Sequence, residues 1–125
     1  MRKRTHTTQR QYPRTARLNE LLRQILADEV ERLDDDRLEL LTVTAVECEP
    51  DLRHATVFYD SLQGEAGDEA VLQVLGEIRT RLQAAVARQA RIKRTPELAF
   101  QPDPAVRAGD RVDRVLRELR DREQG

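Results

Sequence analysis

Residues 41–59 read Leu41-Thr42-Val43-Thr44-Ala45-Val46-Glu47-Cys48, then Glu49-Pro50-Asp51-Leu52-Arg53-His54, then Ala55-Thr56-Val57-Phe58-Tyr59. The first run is rich in β-branched residues and alternates polar with apolar character, as a strand with one buried face requires. In the last run Ala55, Val57 and Tyr59 point one way while Thr56 and Phe58 point the other. Between them, Pro50-Asp51 is a turn signal, because Pro presets φ and an Asp carboxylate accepts from nearby backbone N–H groups. The stretch predicts a β-hairpin.

Upstream of the hairpin, Leu18, Leu21, Leu22, Ile25, Leu26, Val30 and Leu33 recur at the three-four spacing of one helix face. Thr15 is the expected cap of this helix, and the acidic run Asp34-Asp35-Asp36 its stop, since short acids favour turns and crowd the negative end of the helix dipole. Residues 1–13 are polar and basic, end in Pro13 and have no apolar period, so a disordered arm is expected there.

Downstream, Gln63 to Asp68 holds two glycines and reads as a loop, with Asp68 expected to cap a second helix. Val71, Leu75, Ile78, Leu82, Ala85 and Val86 form its apolar face. Gly76 inside that helix marks either a bend, the favoured reading, or a close approach. After Pro96 comes a short strand, Leu98 to Gln101. Asp103-Pro104 then has the cap-then-proline order of a helix start. Val112, Val115, Leu116 and Leu119 are expected to form the buried face of this last helix.

The order helix, strand, strand, helix, strand, helix predicts a two-layer α+β domain over residues 14–122, with a short tail at 123–125. It has a three-stranded sheet, helices on one face and a right-handed crossover. A chain of 125 residues can bury such a core without metals or disulfides. That core must be aliphatic, since Tyr12, Phe58, Tyr59 and Phe100 are the only aromatics. Cys48 is alone and cannot form an internal disulfide, which fits a reducing compartment. No apolar run approaches the roughly 20 residues of a membrane span, and the basic start lacks the apolar stretch of a signal peptide. A cytoplasmic protein is expected, and nothing in the sequence demands a dimer.

Charge placement carries the functional reading. Net charge is −1, yet Arg2, Lys3, Arg4, Arg10, Arg14 and Arg17 form a basic block free of acids. Arg79, Arg81, Arg88, Arg91, Lys93 and Arg94 form a second, with no acid between Glu77 and Glu97. Between the blocks, Asp28, Glu29, Glu31, Asp34, Asp35, Asp36 and Glu39 outnumber the arginines. Local field rather than net charge attracts a polyanion, and arginines fork onto phosphates and stack on bases, so RNA contact is expected at the second block. Its alternative is a solvated helix face, and for the amino-terminal arm a generic solubility tail. A rival function is a protein-interaction module, docking a basic partner on the acidic face around Asp28 to Asp36. His54, Cys48 and the Asp34 to Asp36 run offer no nucleophile–base pair and no spaced metal ligands, so neither an enzyme nor a cofactor is expected. Gly64 and Gly67 have the Gly-x-x-Gly spacing but sit before the second helix with Glu65 between them, where a phosphate would be repelled.

Three words in this order, Asp36-Arg37-Leu38-Glu39-Leu40-Leu41-Thr42-Val43-Thr44, Asp51-Leu52-Arg53-His54-Ala55-Thr56-Val57-Phe58-Tyr59 and Thr95-Pro96-Glu97-Leu98-Ala99-Phe100, resemble the ribosome-binding factor A family, with likeness from about Arg14 to Leu119. The resemblance implies a KH-like fold of the second type and a non-enzymatic factor. It also implies binding to the immature small (30S) ribosomal subunit during late maturation of 16S rRNA, with an assembly GTPase as a further expected partner. The chain departs from the family in three places. Asp35-Asp36-Arg37-Leu38 lacks the family's proline, and Val74-Leu75-Gly76 keeps the glycine but not the small first residue of its Ala-x-Gly kink. Gly76 to Pro96 is also about one helical turn longer, roughly 3.6 residues.

Overall fold

A computed structural model describes the backbone of residues 3–124 and the side chains from Thr15 to Gln124. The hairpin forms as its residues dictate. Strand β1 (Leu41–Cys48) pairs antiparallel with β2 (His54–Ser61), and β3 (Glu97–Pro102) joins β2 in parallel, so β2 is central. At the turn, the Asp51 carboxylate accepts from the Arg53 N–H at 3.0 Å, and the Leu52 N–H donates to the Glu49 carbonyl at 2.8 Å. Along β2 the alternation holds: Ala55, Val57 and Tyr59 are buried, Thr56 and Phe58 only partly.

Helix α1 (Lys3–Leu33) and helix α2 (Asp68–Gln89) cover one face of the sheet. Their buried residues, led by Leu22, Leu26, Leu82 and Val86, meet Val43, Val46, Val57, Tyr59 and Leu98 from the strands. Val74 joins this core although it lies outside the apolar face expected for α2. Two helix side chains satisfy strand donors: Asn19 accepts from the Cys48 N–H at 2.9 Å and Gln83 from the Leu98 N–H at 3.3 Å. This is the α+β arrangement expected from the element order.

The first helix begins earlier than expected. Its backbone is helical from Lys3, through the segment read as a disordered arm, and Thr15 lies inside it rather than at its cap. Its end is as expected and has a visible cause. Asp34 adopts a left-handed φ of 53°, and Asp35 then caps a short 3₁₀ turn by accepting from the Arg37 N–H at 2.9 Å. A left-handed residue after a helix is usually glycine, because a Cβ there is strained. Asp34→Gly is therefore expected to stabilise the fold by about 0.5–1 kcal/mol, measured by urea denaturation.

Asp68 does not cap α2. It is the first residue of that helix, the cap position is Gly67, and no side chain caps it. Its carboxylate instead accepts from the Tyr59 hydroxyl at 2.9 Å and from two nitrogens of Arg107 at 2.5 and 2.8 Å. Gly64 and Gly67 have structural roles in the preceding 3₁₀ turn. Gly64 has φ of +64°, and a Cβ on Gly67 would collide with the Gln63 side chain.

Helix α3 (Pro104–Gln124) starts where the Asp103-Pro104 signal put it. Asp103 accepts from the Ala105 N–H at 2.9 Å, and its other oxygen accepts from the Thr44 hydroxyl at 2.6 Å. Thr44 is available because the β1–β2 register shifts between Val43 and Ala45, leaving it in a bulge. The expected buried face of α3 is not buried. Val112, Val115, Leu116 and Leu119 are each about half exposed, and Arg107 is the helix's only buried residue. Periodicity reports that one face is apolar, and nothing in it requires the same chain to cover that face.

Candidate RNA interface

The second basic block occupies the carboxyl half of α2 and the loop beyond it. The apolar side of α2 faces the sheet and α1, which forces Arg81 and Arg88, seven residues apart, outward on a common side. There they meet Glu29 of α1. Glu29 lies on the apolar stripe of its helix, and its side chain is only 5% exposed. Arg32 donates to it at 3.4 Å, Arg81 approaches to 3.6 Å and Arg88 to 4.0 Å. Arg32 was not singled out by the sequence, because it sits in an acidic stretch; it reaches Glu29 from three residues on along the same helix.

Arg81 and Arg88 are thus not free of internal carboxylates. The contacts nevertheless leave them open, because 3.6 and 4.0 Å exceed hydrogen-bond length and the two side chains remain 62% and 59% exposed. One carboxylate shared by three guanidinium groups cannot neutralise them. Arg79 stands on the other flank, 3.7 Å from Glu97 of β3, which also lies 3.4 Å from His54.

Arg91, Lys93 and Arg94 follow the helix and are exposed. The helix ends at Gln89, with Ala90 extended as its cap, so Arg91 belongs to the loop and its placement is not set by helical spacing. Among the described residues, no carboxylate is paired with these three cations. Of the first basic block, Arg17 is exposed. Arg2 and the side chains of Lys3, Arg4, Arg10 and Arg14 lie outside the described residues.

Helix α2 runs uninterrupted through Gly76, and a Cβ there would meet nothing within 4 Å. Close packing within the chain therefore does not explain this glycine. Gly76→Ala is expected to stabilise the fold by about 1 kcal/mol, the usual helix-interior difference, as a rise in thermal midpoint.

The acidic residues gather elsewhere. Asp28, Glu31, Asp34, Asp35, Asp36 and Glu39 line one cleft of about 410 Å³ beside Leu38 of the 3₁₀ turn and β1. Arg37 at its edge is held by Asp35 at 2.8 Å and by Glu77 of α2 at 3.2 Å. None of the arginines or lysines of the second basic block lines this cleft.

A small α+β domain that presents an arginine-rich helix end and loop offers an anionic partner a surface to bind. The comparisons assign its family. The family model for ribosome-binding factor A matches residues 14–116. A ribosome-binding factor A of Rubrobacter xylanophilus is 48% identical over 107 residues, covering 85% of this chain and 87% of the relative. The crystal structure of ribosome-binding factor A from Thermus thermophilus superposes with a TM-score of 0.65 at 39% identity, covering 70% of this chain and 94% of that one. Coordinates for the Thermus thermophilus factor fitted into a cryo-electron-microscopy map of a complex with the 30S subunit match with a TM-score of 0.57 at 38% identity. They cover 69% of this chain and 91% of that one. This chain belongs to the ribosome-binding factor A family.

Proposed function

We propose that the protein binds the small ribosomal subunit and lays the carboxyl end of α2 and the loop after it against rRNA phosphates. The observation that carries this reading is the imbalance at that end of the fold. Arg32, Arg81 and Arg88 share the one carboxylate of Glu29, and among the described residues no carboxylate is paired with Arg91, Lys93 or Arg94. The family and the 30S complex of the Thermus thermophilus relative support the same partner.

The role is that of a non-catalytic assembly factor in the cytoplasm, acting as a monomer on immature subunits late in 16S rRNA maturation. Residues 14–122 work as one domain with the basic amino-terminal segment as an appendage. Phosphate density and shape are read in preference to base identity, since exposed aromatic rings for base stacking are scarce. An assembly GTPase fits as a factor that promotes release. No described helix is long and apolar enough to cross a membrane. The rival role, docking a basic protein at the acidic cleft, is not favoured by the family.

Co-sedimentation with purified 30S subunits tests this reading. Binding is expected to weaken about 50-fold between 50 and 200 mM salt if four phosphates are neutralised, at a slope of about −0.7 per phosphate. Salt-independent binding, or partners captured equally from nuclease-treated extract, would point to a protein contact instead.

A further inference from the structure

Glu29 occupies a position that an apolar residue would fill at lower cost. It continues the buried stripe of Leu22, Ile25, Leu26 and Val30 on α1 and is 4% exposed as a whole residue. An ionised carboxylate in such a place costs several kcal/mol unless it is paired, and well-packed hydrophobic replacements are often as stable or more so. One arginine would compensate the charge. Three converge on it, from two helices, and only Arg32 comes within hydrogen-bonding reach, at 3.4 Å. Arg81 and Arg88 stand off at 3.6 and 4.0 Å, with their side chains mostly exposed.

We infer that Glu29 is a positioning residue for a three-arginine phosphate site formed by Arg32, Arg81 and Arg88. The ligand class is the phosphodiester of RNA, so the inference rests on the functional reading above and deepens it. The physical basis is the entropy of long side chains. A free arginine loses about 2 kcal/mol of rotamer freedom when it is held by a ligand. A buried anion that draws three guanidinium groups to one point confines them before the ligand arrives. Its single charge leaves the cluster with a net excess of two positive charges. Because Arg81 and Arg88 do not spend their N–H groups on full hydrogen bonds to Glu29, those donors remain available to phosphate oxygens in the fork geometry.

The sign of one substitution separates this role from plain electrostatics. Glu29→Gln adds one positive charge to the face while keeping the side chain's shape, so on charge alone it must tighten binding to 30S subunits. If Glu29 positions the arginines, binding instead weakens about 10-fold despite the added charge, and the salt dependence becomes shallower as phosphate contacts are lost. Equal or tighter binding by a folded Glu29→Gln protein overturns the inference. Arg32→Gln guards against a folding defect, since its side chain is 64% exposed. It is expected to bind several-fold more weakly, with a salt slope reduced by about one contact's worth, and unchanged binding also overturns the site. The triple reversal described below is run alongside. If it weakens binding while both single variants do not, the basic surface stands and the Glu29 site falls. If all three bind normally, the functional reading falls with it.

Discussion

Replacing Arg107 by Met is expected to destabilise the fold by about 3 kcal/mol, a cost at the lower end of that for breaking a buried ion pair. In a domain of this size that lowers the thermal midpoint by about 10 °C. Arg107 and Asp68 have side chains only 8% and 17% exposed, and their two hydrogen bonds fasten the first turn of α3 to the start of α2. Removing the guanidinium leaves a part-buried carboxylate with the Tyr59 hydroxyl as its remaining donor. The second substitution Asp68→Asn in the same chain removes that stranded charge, so the double variant is expected to be more stable than the two single costs added together. Strict additivity in a double-mutant cycle would show that the pair is not coupled.

The same pair sets part of the pH profile. Arg107 holds the Asp68 carboxyl below its ordinary value of 3.8, against the upward push of burial and with help from Tyr59. The unfolded state therefore takes up the Asp68 proton first as acid is added. The pair's stabilisation is fully present above the ordinary carboxylate value and is lost as pH falls from about 4 through the folded value. Burial and the Asp68 contact raise the Tyr59 phenol above its ordinary 10. Its contribution has the opposite sign and fades as pH rises past about 10. In Arg107→Met the acid-side loss is expected to be shallower, because the carboxyl no longer has its cation. Denaturant midpoints taken between pH 2 and 7 on both proteins measure this difference.

Reversing Arg81, Arg88 and Arg91 to Glu is expected to lower affinity for 30S subunits by at least about 100-fold while leaving the thermal midpoint within a few degrees. A charge-assisted hydrogen bond contributes about 1.5–3 kcal/mol, and 1.4 kcal/mol is a factor of ten. Loss of even two such contacts reaches that range before the repulsion of the new carboxylates is counted. Stability is little affected because all three side chains are exposed and their internal contacts are long. Arg81→Glu and Arg88→Glu each place a carboxylate near Glu29, and these are the unfavourable internal contacts. Arg91 has no such neighbour, so Arg91→Glu alone gives the cleaner measure of surface charge. Undiminished co-sedimentation of the triple variant would remove this face from the binding surface.

Local rules in the sequence settled the hairpin, the three strands, the stop after Leu33 and the Asp103-Pro104 start. In each case a residue acts on backbone within a few positions: β-branching, a preset φ, a carboxylate accepting from an N–H two residues on. The aliphatic faces of α1 and α2 were legible for the same reason, since burial there follows helical period. The basic block was legible as composition, but the composition did not show where each cation ends. The helix stops at Gln89, which separates Arg91 from the helical pair Arg81 and Arg88.

What the chain order alone determined is therefore the element sequence, the aliphatic core and the segregation of charge, all products of short-range spacing and side-chain type. Only the tertiary structure decided that Glu29 gathers arginines from two helices, that Asp68 clasps Arg107 instead of capping its helix, and that the apolar side of α3 stays uncovered. The first two depend on groups that meet across 39 to 59 residues of chain, and the third on no other element reaching that face. Hydrophobic period and propensity contain no information on such meetings. They are set when packing brings the helices and sheet together and each buried charge must find its counter-ion.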